Sequence, residues 1–250
     1  MSLEHDPTKR FTDRAADYVQ YRPSYPAGAI DAVLAGLGLP ERIAAVDVGA
    51  GTGISARLLA ARGVHVIAVE PNRAMRESAE SHPRVQWHEG TAETTGLDEA
   101  AYDLALAAQS FHWFRQAEAL RELGRILRRG ARLALMWNRR SQEDPLTFGY
   151  RRAIREIGGE SSAERTAFDP RILERSGFFS PAEVAEFPNR QTLDLEGLVG
   201  RARSASYVPR TGPRAERLVE LLRELHAEHA DDTGRVTLVY TTELHRSRRL

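Results

Sequence analysis

The sequence contains no cysteine, and that absence excludes disulfides, thiolate metal sites and any mechanism that needs a cysteine nucleophile. Lysine is almost missing too: Lys9 is the sole one, and every other basic side chain is arginine. Acidic and basic residues number 35 each in 250, so no net charge draws the whole molecule to nucleic acid or an anionic membrane. No apolar run approaches the roughly 18 to 20 residues that span a bilayer. Charged Glu4, Asp6 and Lys9 stand where the apolar centre of a secretion signal would be. Together these absences predict a soluble, cytoplasmic protein with no nucleic-acid or membrane partner.

What is present is a rhythm. Ala44 to Val48 is short and apolar, Gly49-Ala50-Gly51-Thr52-Gly53 follows at once, and Ile54 to Arg62 reads as a helix. Val64 to Val69 is β-branched, so the unit is a βαβ crossover with parallel strands. Val85 to His88, Tyr102 to Ala108 and Ala131 to Trp137 are further strands. Between the last two lies a helix with Ala117, Leu120, Leu123 and Leu127 on one face, expected to stop at Gly130. This alternation predicts an α/β, doubly wound, mostly parallel sheet covered on both faces. Beyond Asn138 the pattern predicts helices at Leu146 to Ile157, Leu195 to Ala205 and Arg214 to His229, and a late strand from Val236 to Leu244. The basic end, Arg246, Arg248 and Arg249, reads as a frayed tail.

Glycine accepts positive φ and lets backbone approach a ligand, and a following helix N-terminus offers free N–H groups. Glu70 ends the second strand, roughly 20 residues after the turn, near the spacing at which an acid meets ribose hydroxyls. A dinucleotide-binding oxidoreductase would share these features. Its usual pattern is Gly-x-Gly-x-x-Gly, whereas here the glycines stand at 49, 51 and 53 and Ile54 takes the place of the third glycine.

Four ordered motifs, Val46-Asp47-Val48-Gly49-Ala50-Gly51-Thr52-Gly53, Val69-Glu70-Pro71-Asn72, Gly90-Thr91-Ala92-Glu93 and Tyr102-Asp103-Leu104-Ala105, resemble the class I Rossmann-like methyltransferases. The strings Tyr18 to Pro26, Ser110 to Phe114 and Ser204 to Pro209 are similar to a subgroup related to trans-aconitate methyltransferases. The resemblance implies a seven-stranded sheet ending in an antiparallel hairpin, for which Val184 to Phe187 and Val236 to Tyr240 are the candidates. It implies a helical N-terminal cap over residues 1–40, a cofactor-binding core over 41–140, and a helical insertion with the final strands over 141–250 of the same domain. The implied cofactor is S-adenosyl-L-methionine, with S-adenosyl-L-homocysteine as product. Asp47 and Gly49, Ala50, Gly51, Thr52 and Gly53 would line its methionine moiety, and Glu70 its ribose. Pro71, Asn72 and Met75, with Thr91, Ala92 and Glu93, would form the adenine pocket, and Gln109 and Ser110 would lie beside the sulfonium.

Methyl transfer is an in-line displacement, so no protein nucleophile is needed and alignment is most of the task. His112 is the histidine inside a motif and is the candidate base or acceptor-orienting group; a hydrogen-bonded turn histidine is the structural alternative. Phe111, Trp113 and Phe114 are candidate walls facing a sulfonium, at least one of them expected in the core. Tyr18, Tyr21, Arg22 and Tyr25 form a lid candidate, in which Arg22 would grip a carboxylate of the cofactor or the acceptor. His226 and His229 sit three apart on a helix with His245 further on, yet neighbouring Glu224 and Glu228 fit a solvated face, so no metal is expected. The function expected is methylation of a small molecule, a carboxylate by the narrower resemblance. A non-catalytic cofactor-binding partner and an NAD-dependent oxidoreductase are the alternatives. Nucleic-acid methylation is disfavoured by the neutral charge, by the missing cysteine, and by Ala107-Ala108-Gln109-Ser110 where amino-methylating enzymes carry Asn/Asp-Pro-Pro-aromatic.

Overall fold

The computed structural model describes residues 15–158, 168–205 and 207–250; residues 1–14 of the expected cap, and Ser206, lie outside them. Strands β1 (Ala44–Val48), β2 (His65–Val69), β3 (Val85–His88), β4 (Tyr102–Ala108), β5 (Leu127–Arg140), β6 (Glu183–Leu193) and β7 (Val236–Arg248) form one sheet in the order β3-β2-β1-β4-β5-β7-β6. β1 to β5 are parallel to one another, and β7 runs antiparallel between β5 and β6. Successive residues of β1 and β4 are buried whichever way they point, as expected when helices cover both faces of a parallel sheet.

From β1 the chain winds outward to β2 and β3, then returns to β4 on the other side and winds outward again. The direction therefore reverses between β1 and β4, and ligands of such sheets bind in the crevice at that point, beyond the carboxyl ends of the strands. Helices α1 (Ala15–Tyr21), α2 (Ala27–Leu34), α3 (Ile54–Ala60), α4 (Arg73–Glu77) and α5 (Gln116–Ile126) belong to this half. α2 is part of the layered core, since Ala29, Ile30 and Val33 are fully buried against residues of α3, β1 and β4. α5 buries Ala119, Leu120, Leu123 and Ile126 on one face, the spacing expected of an amphipathic helix.

The later half is helical between strands. α6 (Pro145–Gly158) and α7 (Arg171–Arg175) lie between β5 and β6, and α8 (Leu195–Arg203) and α9 (Pro213–His229) fill the long excursion within the β6/β7 hairpin. Leu146, Tyr150, Ile154, Leu198, Leu218, Leu222, Leu238 and Tyr240 form their shared apolar cluster.

Two expectations change. Gly130 is not a helix stop: α5 ends at Ile126, and Gly130 (φ 80°) lies inside β5, its N–H donating to Arg249 O at 2.8 Å. Leu127 pairs with Tyr102 of β4, so strand pairing takes the segment away from the helix. The arginine-rich end is likewise no frayed tail. Arg246 and Arg248 pair with β5, and Arg249 Nε donates to Gly124 O at 2.6 Å. The strand expected at Val184 to Phe187 runs on through Pro188 to Leu193. Proline is tolerated there because β6 is the edge strand.

Candidate active site

The turn after β1 is held from two sides. Gly49 and Ala50 N–H both donate to Val69 O, at 2.9 and 3.1 Å, so the chain turns directly over the end of β2. Gly49 has φ 67°, and a Cβ there would stand 2.7 Å from Ser110 Cβ. Only glycine admits that conformation beside the end of β4. Ser110 itself donates from Oγ to Val48 O at 2.9 Å, joining the ends of β1 and β4.

Glu70 is the partner of the turn. Its Oε2 accepts Gly51 N–H and its Oε1 accepts Asn72 N–H, each at 2.9 Å. A carboxylate has about four acceptor positions, so two lone pairs remain for hydroxyl donors from the cavity that Glu70 lines. Burial pushes its carboxyl up, and the Asn72 and Gly51 amides offset only part of that. Asn72 Oδ1 caps α4 by accepting Met75 N–H at 3.3 Å, which places Met75 at the cavity wall.

The cavity has a volume of about 420 Å³, within the range of pockets that enclose a small organic ligand. Gly49, Ala50, Gly51, Glu70, Pro71, Asn72, Met75, Thr91, Ala92, Glu93, Gln109 and Ser110 all line it, as do Tyr18, Arg22, Tyr25, His112, Trp113 and Phe114. Gln109 adopts φ 56°, uncommon for a non-glycine residue. It is held there by its N–H to Met136 O at 2.8 Å and its side chain to Asn138 O at 3.3 Å.

Several candidates sit elsewhere. Thr52 is fully buried, and Gly53 begins α3 against Trp87; neither reaches the cavity because the turn closes behind Gly51. Phe111 is fully buried in the core against Phe114 and Phe168. Tyr21 faces α8, packing on Gly200 and reaching Glu196 at 3.4 Å, whereas Tyr18 of α1 and Arg22 just after it line the cavity. His226 Nε2 meets Gly234 O at 3.0 Å, and no cluster of metal ligands occurs among the described residues.

Asp47 also lies behind the turn. It is fully buried, accepts from Ser55 Oγ at 2.7 Å and from the Ala56 amide, and is pushed up to about 7, chiefly by burial. Its folded-state value lies above the unfolded value of about 3.9. The stability it contributes is therefore complete below about pH 4 and is lost as pH rises through about 7, by at most about 4 kcal/mol. Asp47→Asn is expected to flatten the dependence of the urea midpoint on pH between 5 and 8; a slope as steep as the parent's would assign that dependence to another group.

The other end of the cavity is lined by residues that sequence reasoning missed: Asn138, Arg139 and Arg140 at the end of β5, Arg201 on α8, and Tyr207. Arg139 has its own counter-charge, Glu243 of β7 at 2.7 Å. Arg22 and Arg201 have none among the described residues. Arg22 Nη2 donates to Ser204 O at 3.0 Å and Arg201 Nη1 to Ser204 Oγ at 3.3 Å, and neither forms an ion pair with a carboxylate among the described residues. Arg201 is only 3% exposed. Burial and then the nearby Arg201 charge lower the Arg22 pKa. Burial alone would raise the Tyr207 phenol, but Arg140, Arg22 and Arg201 outweigh it and hold it below its usual value.

Residues 46–135 match a family described as Methyltransferase domain. An uncharacterized methyltransferase of Mycobacterium tuberculosis is 37% identical over 155 residues, 62% of this chain and 60% of that protein. An uncharacterized methyltransferase-like protein of Schizosaccharomyces pombe is 34% identical over 55% of this chain and 54% of its own length. The chain thus spans about 60% of the length of the mycobacterial relative and about half of the fission-yeast one. A solved structure from Anaeromyxobacter dehalogenans, assigned as a type II methyltransferase, superposes with a TM-score of 0.65 at 26% identity, over 92% of this chain and 98% of that one. With the glycine turn, its acidic partner and the sheet order in place, residues 46–135 carry the match to the methyltransferase domain family, within a sheet that has the Rossmann-like methyltransferase fold.

Proposed function

We propose that the protein transfers the methyl group of S-adenosylmethionine to an oxygen of a small carboxylate. The observation that carries the acceptor half is the pair of guanidiniums, half-buried Arg22 and buried Arg201, meeting at Ser204 without a carboxylate among the described residues. Uncompensated buried charge costs several kcal/mol per ion, and such a cost is retained where a ligand supplies the opposite charge.

The cofactor half fits the residues that surround it. Glu70 is held by two backbone amides with acceptor capacity to spare for ribose hydroxyls. Gly51 leaves a cradle that a Cβ would narrow, since it would stand 3.4 Å from Met75 Cε and 3.8 Å from the Tyr18 ring. Met75 and Ala92 offer buried apolar surface beside Asn72 for a flat base. S-adenosylmethionine would supply an electrophilic sulfonium methyl group, the acceptor oxygen forming its bond to the methyl carbon as the C–S bond breaks in line and S-adenosylhomocysteine leaves. The chain's part is alignment: Gln109 and Ser110, fixed at the joined ends of β4 and β1, set the boundary between the two halves of the cavity. Holding reactants about 3 to 3.5 Å apart and in line supplies roughly 7 to 11 kcal/mol.

A carboxylate already has its lone pair free, so no proton must be removed before attack. The ester product carries one negative charge fewer, which weakens its hold on Arg22 and Arg201 and favours release. Calorimetry with S-adenosylhomocysteine, followed by mass detection of methyl esters across mono-, di- and tricarboxylates, amines and neutral alcohols, tests the reading. Micromolar binding and turnover confined to carboxylates are expected. Turnover of amines or alcohols with none of the carboxylates would overturn the acceptor assignment, and tight NAD binding without S-adenosylhomocysteine binding would overturn the cofactor assignment.

A further inference from the structure

His112 lines the cavity from the short 3-10 turn Phe111–Trp113, directly after β4. Across from it, the Trp137 indole of β5 donates from Nε1 to His112 Nδ1 at 3.3 Å. An indole N–H is only ever a donor. The nitrogen that receives it must present a lone pair, and in neutral imidazole the proton then resides on the other nitrogen, Nε2.

Trp137 cannot easily give way. It is 1% exposed, lies against the Phe168 ring at 4.9 Å between centroids, and meets His245 edge to face at 5.7 Å. Its backbone is paired with Glu243 of β7. A buried N–H deprived of its acceptor is strongly disfavoured, and a proton on His112 Nδ1 would deprive it. The turn is fixed as well, by Trp113 N–H to Ser110 O at 2.9 Å and Phe114 N–H to Phe111 O at 3.2 Å.

We infer that Trp137 holds His112 as the Nε2–H tautomer, so that His112 is a hydrogen-bond donor that orients the methyl acceptor and not the base that deprotonates it. Trp137 is then a positioning residue. The inference rests on the proposed function for its meaning in turnover. It also narrows that function: an Nε2–H on a ring that lines the same cavity as Arg22 and Arg201 favours an acceptor oxygen that arrives already negative, and a base that would strip a proton from an alcohol or ammonium is not available at this ring.

The tautomer can be read without any ligand. In protein labelled with 15N-histidine, the His112 Nδ1 resonance is expected in the range of an unprotonated ring nitrogen and Nε2 in that of a protonated one, with Trp137→Phe mixing the two. An Nδ1-protonated ring in the parent protein would overturn the inference outright. Activity supplies the second arm. His112→Gln, whose amide can place an N–H near the Nε2 position, is expected to keep kcat/KM within about 10-fold of the parent, and His112→Phe to lose about 100-fold or more, both binding S-adenosylhomocysteine normally. A base cannot be replaced by an amide, so equal losses in the two variants would refute the donor role. Failure of the parent protein to bind S-adenosylhomocysteine would instead strike the proposed function and leave the tautomer measurement intact.

Discussion

Gly51→Val is expected to abolish cofactor binding while leaving a folded protein. Gly51 has φ 59°, where a β-branched residue is a strong outlier. Its added carbons would enter the gap between Met75 Cε and the Tyr18 ring, the two surfaces nearest the turn. A shifted Gly51 also withdraws its N–H from Glu70 Oε2, so Glu70, the proposed ribose ligand, loses one of the two donors that aim it. The affinity for S-adenosylhomocysteine is expected to fall by about 100-fold or more, roughly the 2 to 3 kcal/mol that a lost charge-assisted hydrogen bond and a filled cradle would each supply in part. Left-handed strain of about 1 to 2 kcal/mol would lower the melting temperature by roughly 2 to 8 °C for a chain of this length. Calorimetry and a thermal scan separate the two effects. Unchanged affinity would mean that the cofactor lies elsewhere.

Arg201→Met is expected to act in the opposite sense on stability and binding. The substitution keeps the apolar stem and deletes a guanidinium that is buried and has no carboxylate partner among the described residues. Removing an uncompensated charge near Arg22 relieves repulsion, so the folded state is expected to hold its stability or gain some. Acceptor binding is expected to weaken by about 2 to 5 kcal/mol, a rise in KM of roughly 30-fold or more, with affinity for S-adenosylhomocysteine unchanged. Arg201→Lys would restore charge but not the planar fork, and so only part of the affinity. The result that sinks the assignment is a marked loss of stability with an unaltered acceptor KM, the behaviour of an arginine kept for the fold.

How much was legible in advance differs between the two halves of the cavity. The cofactor half was mostly local in the chain. Gly49, Gly51 and Glu70 announce themselves by residue type and spacing, and the strands that carry them alternate with helices in a period the sequence displays. What that reading could not see was depth. Asp47, Thr52 and Gly53 belong to the same motif as Gly51 yet lie behind the turn, because the chain there passes from strand into helix and presents only one side to the crevice. Phe111, one residue from His112, points into the core for the same reason. Near β5 the local signal misled, since pairing with Tyr102 and Arg249 outweighed the helical pattern around Gly130.

By itself the sequence determined the layered α/β sheet, the turn over β1 and the identity of its acidic partner, since periodicity, positive-φ glycines and short-range spacing are properties of neighbouring residues. Tertiary structure alone assembled the proposed acceptor end. Arg22, Arg139 and Arg140, and Arg201 come from three distant stretches, the first just after α1, the next two at the end of β5 and the last on α8. The fold brings these charges around one space, where buried Arg201 and half-buried Arg22 meet no carboxylate among the described residues and so favour an anion. The pairing of Trp137 with His112 is of the same kind: which nitrogen of a ring carries the proton is set by what packs beside it, and no spacing along the chain encodes that.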